Sequence, residues 1–515
     1  MLLRAHYQPR VEQNRGDPMR RSAAGVHRTT RRSLLAGAAG AAGLFTMSWL
    51  NRAGAQTQRL SESEQRQKIE AALPAKAFVT PRKPRRLLIF DLNVNYGGHA
   101  SIVTANMAFT MMGAKTGAFE TEISKDPAVF KPESLKRFDA VFFNNTVGNL
   151  FEDSALRQSL IEFVYAGGGL MGVHGTSVAF TKWPGAIEDW PEFGIMLGAR
   201  GANHKANTEH VFIKRDDPDH PLVQPFGGDF DYRDEFFRVH EPYSRDRVRV
   251  LLSIDTARTD MTQQPSYGKV VRADNDYALA WVRQYGRGRI FYCTIGHHPA
   301  VFWDPKMLQF YLAATQFALG DLDAPTTPSA KLTPAVQAQE KLGWHLALVP
   351  SEQPLTLFET IDKAAELGLL YVGSSNRQKV SRDIPRDFDD QLSNDQMRQI
   401  RLKLDAAGVR LLTYRVDGRP SDRAVEFARR MGVEAVPVQM GSRAAEVGPT
   451  TVALDEPARA QRLGTVLRDT YKAGRGAVVF TLAFGSDKTG LTSRLAQAIQ
   501  AFNEATVPMA QGDKS

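Results

Sequence analysis

The chain has 515 residues, of which 43% are hydrophobic and 23% charged. This composition excludes a disordered or fibrous protein and supplies enough apolar residues for more than one buried core. The formal net charge is +9, but residues 1–55 contain nine arginines and only two acidic residues. Because the rest of the chain is nearly neutral, we expect no nucleic-acid partner.

The single cysteine, Cys293, excludes an intrachain disulfide and a metal cluster held by several thiolates. It lies inside a predicted strand, where a packed and unreactive thiol is favoured over a nucleophile. A thiol nucleophile is the alternative that the sequence leaves open.

Residues 1–55 have the pattern of an export signal. The Arg31–Arg32 pair precedes a weakly apolar stretch rich in Ala and Gly, and small residues follow up to Ala55. These features predict a twin-arginine signal peptide that is cleaved after Ala55, and hence a periplasmic or secreted protein. A membrane anchor is the alternative, but glycines interrupt the apolar stretch, so we expect no stable membrane insertion after cleavage.

The segment 56–84 is polar and is predicted to form a short helix and a tether. From 85 to 321, short apolar runs alternate with amphipathic stretches, which is typical of a parallel sheet wrapped by helices. The predicted strands of this first α/β domain are at 87–92, 140–143, 170–173, 209–214, 248–254, 278–284 and 288–295, and its predicted helices are at 99–112, 153–166 and 305–319.

Residues 322–342 contain three prolines without sustained apolar periodicity and are predicted to be a linker. A second series of strands and helices occupies 343–508, and 509–515 are predicted to form a tail. The predicted strands of the second domain are at 344–349, 369–372, 409–414, 433–438 and 477–481. A complete eight-unit barrel needs roughly 250 residues, so this domain is either a truncated barrel or an open sheet.

Eight of the eleven histidines fall in the first domain, and His174 has the most informative surroundings. It follows an apolar run and is flanked by Gly172 and Gly175. Such glycines permit a sharp turn that presents a side chain at the carboxyl edge of a parallel sheet, where ligands bind. The alternative is a hydrogen-bonded histidine of the core.

Other candidate groups lie near the ends of predicted strands. His99 follows the first strand and is either a functional imidazole or a helix cap. Asp234 and Glu235 are adjacent carboxylates beside aromatic residues, suited either to acid–base chemistry or to a solvated turn. His204 follows a short Gly-Ala-Asn segment, and His297 follows the last predicted strand.

A family resemblance rests on four ordered segments: Gly167–Thr176, Asp219–Pro221, Asp234–Phe237 and Trp281–His297. The first domain resembles the ThuA-like, or trehalose-utilisation, domain over about residues 85–321. The resemblance implies a flavodoxin-like fold similar to that of class I glutamine amidotransferases, with His174 at the place of their attacking cysteine. Thiol-dependent glutaminase activity is therefore not expected, because imidazole cannot form the same thioester.

The same resemblance implies a role in the metabolism of trehalose, related disaccharides or oxidised keto-sugars. It also implies a polar cleft, whose matching residues here are His174, His204, Asp234, Glu235 and His297.

The second domain resembles the sugar phosphate isomerase/epimerase, or xylose isomerase-like, barrel in Trp344–Leu346, Ala364–Val372, Leu404–Tyr414 and Phe427–Ala435. That family binds a divalent metal through Glu, Asp and His at strand ends. In this chain no histidine follows His345, and Gly373 and Gln439 stand at two of the Glu positions. These departures predict a degenerate barrel with a scaffold or binding role.

Two functions are compatible with these features. The first is an exported carbohydrate-processing enzyme, in which His174 acts as general acid or base and Glu235 or Asp234 is the complementary group. Such groups suit proton abstraction beside a keto group or water activation at a glycosidic carbon. The second is a non-catalytic periplasmic sugar-binding protein. In the enzyme, the predicted substrate-binding residues are His99, His204, Trp183 and His297.

The expected partner is a small-molecule carbohydrate. The sequence leaves open whether a divalent metal is bound and which residues would hold it. The exposed strand edges of a truncated barrel favour either a homo-oligomer or docking onto the first domain.

Overall fold

A computed structural model of the chain describes residues 60–183, 187–264, 272–350, 355–416, 418–434, 450–453, 463–472, 478–484 and 491–512. The predicted signal peptide at 1–55 lies outside these residues. Among the described helices, none has both the length and the apolar character needed to cross a membrane.

The first domain is built on a mixed sheet of nine strands in the described residues, in the order β2-β1-β3-β4-β13-β12-β11-β8-β9. Strands β2, β1, β3, β4 and β13 pair in parallel, and the remaining neighbours pair antiparallel. Two short antiparallel pairs, β5–β6 and β7–β10, lie outside this sheet. The strands are β1 (Arg86–Phe90), β2 (Glu120–Ser124), β3 (Ala140–Asn144), β4 (Gly169–Val173), β5 (Thr181–Lys182), β6 (Ile187–Glu188), β7 (Arg200–Asn203), β8 (Glu209–Arg215), β9 (Phe230–Asp234), β10 (Arg238–His240), β11 (Arg249–Ile254), β12 (Ala278–Tyr285) and β13 (Gly288–Cys293).

Helices cover both faces of this sheet. Because side chains alternate along a strand, Leu87 and Ile89 of β1 join one core cluster while Leu88 and Phe90 join the other. Helices α1, α2 and α6 pack in the first cluster, and α4 and α5 pack in the second. The helices of this domain are α1 (Glu62–Ala72), α2 (Ser101–Thr116), α3 (Pro132–Leu135), α4 (Ser154–Tyr165), α5 (Pro191–Leu197) and α6 (Pro305–Ala318).

The structure has a helix or strand at every position predicted for the first domain, within a few residues at each end. It also has strands that were not predicted, of which β2 lies at one edge of the main sheet. Its sequence, Glu-Thr-Glu-Ile-Ser, is largely exposed or half-buried. An edge strand of this kind lacks the continuous apolar run that marks the buried strands, so the pattern missed it.

The predicted linker at 322–342 is only partly correct, because it contains a helix, α7 (Pro334–Leu342). Thr333 caps its first turn, and Gly343 ends it in the left-handed conformation at φ 69°. The segment before α7 is fixed along β11: the backbone N–H of Ser329 donates to Val248 O at 3.0 Å, and its hydroxyl accepts from Val250 N at 2.9 Å. It therefore packs on the first domain.

The second domain has five parallel strands in the described residues, in the order β16-β15-β14-β18-β17. The strands are β14 (Trp344–Pro350), β15 (Tyr371–Ser375), β16 (Arg410–Arg415), β17 (Thr450–Ala453) and β18 (Val478–Phe484), and the helices are α8 (Leu357–Glu366), α9 (Asn394–Ala407), α10 (Asp422–Arg430), α11 (Leu463–Lys472) and α12 (Leu491–Gln511). Most of the predicted strand at 433–438 lies outside the described residues. Strand β17 was not predicted, and α12 extends into the predicted tail.

The two domains meet through ion pairs. Asp405 of α9 accepts hydrogen bonds from Arg247 and Arg283 of the first domain, and both Asp405 and Arg283 are nearly inaccessible. Arg398 donates to Glu192 at 2.7 Å. Since Asp405 and Arg283 are taken out of water together, each depends on its partner being present.

Backbone packing places this contact at the amino-terminal ends of β4 and β13. A Cβ on Gly432 would lie 2.8 Å from the Tyr165 ring and 2.9 Å from the Cα of Gly286. Tyr165 ends α4 just before β4, and Gly286 lies in the turn before β13. The second domain therefore docks at the edge of the sheet opposite to the carboxyl ends of these strands.

We predict that Asp405→Ala destabilises the protein by roughly 3–5 kcal/mol, because it leaves two arginines without their buried partner. Chemical denaturation followed by tryptophan fluorescence measures the effect. Asp395→Asn, an exposed change on the same helix, is the control and is expected to cost less than about 0.5 kcal/mol. Equal stabilities of the two variants would show that the ion pairs do not hold the domains together.

His220 is a buried histidine that joins the first domain to the segment after it. Its Nδ1 accepts from Leu222 N at 3.3 Å, and its Nε2 donates to Pro325 O at 3.0 Å, so the ring is neutral. Burial lowers the pKa of His220 to about 4. Because the folded-state pKa is below the ordinary value, the stabilisation is present above about pH 6.5 and is lost as the pH falls toward 4.

We predict that His220→Asn makes the unfolding free energy less dependent on pH, by roughly 2 kcal/mol between pH 7.5 and pH 5. Asparagine keeps the helix cap but cannot titrate. Urea unfolding at both pH values tests this. The exposed His240→Gln is the control. If His220→Asn keeps the wild-type dependence of the unfolding free energy on pH, His220 is not the group that titrates.

Candidate active site at the carboxyl ends of the parallel strands

His174 lies immediately after β4 and begins a short 3-10 turn, His174–Val178. Its φ is +46°, in the left-handed region that residues with a Cβ seldom adopt. The side chain is fully buried, and its Nδ1 lies 2.8 Å from the carbonyl oxygen of Thr294. Because a carbonyl only accepts, Nδ1 carries the proton, and Nε2 of the neutral ring has a lone pair directed at the neighbouring side chains.

Glu235 is the common neighbour of three histidines. Its Oε1 lies 3.3 Å from His174 Nε2 and 3.4 Å from His297 Nδ1. These two ring nitrogens are themselves 3.3 Å apart. The other carboxylate oxygen, Oε2, lies 3.1 Å from His204 Nδ1. One carboxylate thus joins residues that follow three different strands.

His99 completes this group from the loop after β1. Its ring is 4.8 Å from that of His174 and 5.2 Å from that of His297, between centroids. Its Nε2 lies 3.3 Å from the Tyr96 hydroxyl, whereas its buried Nδ1 has no hydrogen-bond partner. The Trp183 ring packs against Tyr96 at 5.7 Å, which places it beside the histidines without a direct polar contact to them.

Burial and the charges of neighbouring groups together set the protonation of these residues. Burial lowers the pKa of His99 to about 2, with His174 and His297 acting in the same direction. It also lowers the pKa of His174, although the charge of the neighbouring Glu235 carboxylate opposes the change. Burial lowers the pKa of His297, but the Glu235 carboxylate raises it by more, so the net change is a rise. Burial raises the pKa of Glu235, but the neighbouring His174 and His297 outweigh burial and hold this pKa well below its usual value. Glu235 is therefore ionised.

Asp234 is fully buried and accepts hydrogen bonds from three backbone N–H groups. Its Oδ2 accepts from the backbone N–H groups of Gly296 at 2.7 Å and His297 at 3.1 Å, and its Oδ1 accepts from His298 N at 3.2 Å. Burial raises the pKa of Asp234 to about 7, and the charge of His297 with backbone N–H donors, including those of His297 and Gly296, opposes that rise. Asp234 therefore positions the His297 segment, and its catalytic role stays a prediction.

Asn145 is a positioning residue that the sequence analysis missed. It follows β3 at φ +54° and is fully buried. Its Oδ1 accepts from Gly175 N, and its Nδ2 donates to Gly296 O and to Ser101 Oγ, all at 3.2 Å. It thereby ties the loop after β4 to the loop after β13. The polar Asn-Asn-Thr run that directly follows an apolar strand is the signal that could have found it.

The thiol of Cys293 is unsuited to nucleophilic attack. It lies in β13 with no exposed surface, and burial raises its pKa to about 12. A thiolate is the nucleophilic form of cysteine, so this environment keeps the residue inert.

Four of the predicted site residues have the composition of a metal site. His99, His174, Glu235 and His297 each offer one potential ligand atom, and these atoms all lie within 4.8 Å of one another. Imidazole nitrogens with one carboxylate oxygen are typical ligands of divalent transition metals.

Residues 86–318 match the family model described as ThuA: Trehalose utilisation. These residues form a ThuA domain. The description of the family relates this domain to carbohydrate utilisation. The matched residues include the nine-stranded sheet and all of the clustered side chains.

The solved structures similar to the chain described next each cover less than half of it. A ThuA-like protein from Bacteroides uniformis ATCC 8492 is 19% identical and covers 46% of this chain and 93% of its own, with a TM-score of 0.38. A cytoplasmic protein from Salmonella typhimurium LT2 is 13% identical and covers 45% and 96%, with a TM-score of 0.30. A beta-galactosidase from Rahnella sp. R3 is 16% identical and covers 46% of this chain but 32% of its own, with a TM-score of 0.30. No curated protein matched the sequence.

We predict that Asp234→Asn destabilises the ThuA domain by roughly 2–4 kcal/mol, because an amide has one acceptor oxygen for three buried N–H donors. Asp231→Asn, an exposed change on the same strand, removes only a surface pair with His210 and is expected to cost less than about 1 kcal/mol. Thermal unfolding compares the two variants. Similar stabilities would contradict the positioning role.

Proposed function

We propose that the ThuA domain is a carbohydrate-processing enzyme and that the His–Glu cluster, defined as His99, His174, Glu235 and His297, is its reaction centre. The observation that carries the proposal is the convergence of His99, His174 and His297, which follow β1, β4 and β13, with Glu235, which follows β9. The carboxyl ends of parallel strands are where open α/β sheets bind their ligands. The substrate class is a sugar, a disaccharide or a keto-sugar glycoside.

The chemistry that fits these groups is acid–base catalysis by imidazole and carboxylate. Either proton abstraction beside a keto group or activation of water at a glycosidic carbon uses such a pair. His174 is fully buried and is tied to Thr294, so we assign it an orienting role rather than direct proton transfer to substrate. His204 and His297 retain 25% and 20% exposed side-chain surface and are the histidines that can reach a sugar.

Aromatic rings beside the His–Glu cluster support a carbohydrate substrate. Tyr96 and Trp183 contact each other edge to face and are only partly buried. Aromatic faces pack against the apolar faces of sugar rings, while a few polar groups provide orientation. The second domain docks at the opposite edge of the sheet, so the substrate site we propose is formed by the ThuA domain.

For the second domain we propose a degenerate barrel with a scaffold role. The parallel pairing of its first strand, β14, with its last, β18, is the contact by which a barrel closes, and it supports this proposal. Gly373 has no room for a ligating side chain, since a Cβ there would lie 2.5 Å from Thr413 Oγ1. His345 packs on the Tyr371 ring, and burial lowers its pKa to about 4.

We also propose that the protein is exported by the twin-arginine route and acts in the periplasm or outside the cell. The Arg31–Arg32 pair, the weakly apolar stretch and the small residues before Gln56 support this location.

To test the proposed function, we would incubate the full chain with trehalose, other glucosides and their 3-keto derivatives and follow the products by NMR. We expect conversion of at least one of them, and a loss of roughly 100-fold or more in Glu235→Gln. His210→Gln, which alters a surface histidine paired with Asp231, is the matched control and should retain wild-type turnover.

The outcomes separate the candidate functions. Saturable sugar-induced shifts in the NMR signals of the protein, without conversion, would show that it binds the sugar and would favour a sugar-binding protein over an enzyme. Neither conversion nor binding of any of these sugars would overturn the carbohydrate function. Equal turnover in Glu235→Gln and wild type would show that the His–Glu cluster is not the reaction centre.

A further inference from the structure

We propose that the His–Glu cluster is a binding site for one divalent transition metal, with His174 Nε2, His297 Nδ1 and Glu235 Oε1 as three of its ligands. These atoms form a nearly equilateral triangle with edges of 3.3, 3.3 and 3.4 Å. The role that we give the metal below rests on the proposed carbohydrate function, whereas its binding does not.

The size of the triangle matches a metal coordination sphere. In a tetrahedral site with bonds of about 2.0–2.1 Å, neighbouring ligand atoms are separated by about 1.63 bond lengths, or about 3.3–3.4 Å. All three edges have this length, so there is a point at which one ion would lie at bonding distance from all three atoms.

Hydrogen bonding explains the same triangle poorly. Charge-assisted N–H···O bonds are typically about 2.7–2.9 Å long, shorter than either contact to Glu235. Because His174 donates from Nδ1 to Thr294, its Nε2 in the neutral ring faces the carboxylate oxygen as a second acceptor. Two acceptors at this separation repel each other, and a cation between them converts the repulsion into attraction.

Contacts outside the triangle hold each ligand in the required orientation. The Thr294 carbonyl fixes the His174 tautomer, Glu235 Oε2 contacts His204, and Asp234 accepts from the backbone of His297. Such outer contacts are usual for metal-binding histidines and carboxylates, whose partners raise ligand basicity and prevent rotation.

His99 is the fourth group. It offers a ring nitrogen within 4.8 Å of the other three ligand atoms, and its buried Nδ1 has no hydrogen-bond partner. A buried polar atom of this kind needs a partner, and an ion in the cluster supplies positive charge to it directly or through a water molecule. Gly175 permits its approach, since a Cβ there would lie 3.1 Å from His99 Cε1.

The donor set selects the class of metal. Three imidazoles and one carboxylate suit zinc, manganese, iron or cobalt, whereas calcium and magnesium prefer oxygen ligands. A metal at this position would act as a Lewis acid for a carbonyl or hydroxyl oxygen of the sugar. His204 would then be the imidazole that lies outside the coordination sphere and next to the substrate.

The test is metal analysis of the full-length protein purified without chelator, followed by titration of the chelator-treated protein with Zn²⁺ and Co²⁺. We expect about one equivalent of metal and a visible absorption spectrum of bound Co²⁺. His204→Ala removes an outer contact and should weaken Zn²⁺ binding by roughly 10–100-fold. Glu235→Gln and His297→Ala remove ligands and should weaken Zn²⁺ binding by more than that. His210→Gln should bind as wild type does.

Less than one tenth of an equivalent after purification, with no Zn²⁺ binding at micromolar concentration, would overturn the site. Unchanged affinity in both ligand variants would also overturn it, because the metal would then lie elsewhere. If those variants fail to fold, anomalous diffraction from wild-type crystals grown with Zn²⁺ decides the matter, since the ion must lie within about 2.3 Å of the three named atoms.

The metal site and the carbohydrate function can fail separately. Sugar conversion that persists after the metal is removed would refute the role of the metal and leave the function intact. Stoichiometric metal in the cluster without conversion or sugar binding would refute the carbohydrate function and leave the metal site intact.

Discussion

The parallel pairing of β4 with β13 is the contact on which the candidate site depends. Its register sets Val173 beside Cys293, so the loops that follow the two strands leave the sheet together. His174 can then reach Thr294 O, although the two residues are 120 positions apart. Gly296 makes the approach possible, because a Cβ at this position would lie 2.4 Å from a Val173 methyl group. The site is thus a consequence of strand order combined with one residue that has no side chain.

Only one of two neighbouring carboxylates contacts the histidines of this buried space. One ionised carboxylate, Glu235, contacts three imidazoles, and burial keeps His99 and His174 neutral. The neighbouring Asp234 satisfies backbone N–H groups instead. Two adjacent carboxylates in one pocket would repel each other, and their division between backbone and cluster avoids this cost. The same arrangement leaves three ligand atoms at the separation that a metal ion requires.

Buried charges also join the second domain to the ThuA domain. Asp405 joins two arginines of the ThuA domain, and Gly432 packs against Tyr165 and Gly286 at the amino-terminal ends of the strands. The contact is therefore separated from the cluster by the length of β4, five residues or roughly 16 Å. This geometry is consistent with a scaffold that stabilises the ThuA domain without entering its cleft, and the ion pairs define one orientation between the two.

The sequence by itself determined the buried parallel strands, the helices between them and the presence of histidines at strand ends, because apolar runs, caps and glycines act locally. It also placed His174 at a sharp turn. Only the tertiary structure decided that Glu235, rather than Asp234, joins the histidines: the two are neighbours in sequence, and the alternation of side chains at the end of β9 sends them to different partners. The roles of Asn145 and of the polar edge strand β2 were likewise decided by contacts between distant segments, which no local pattern encodes.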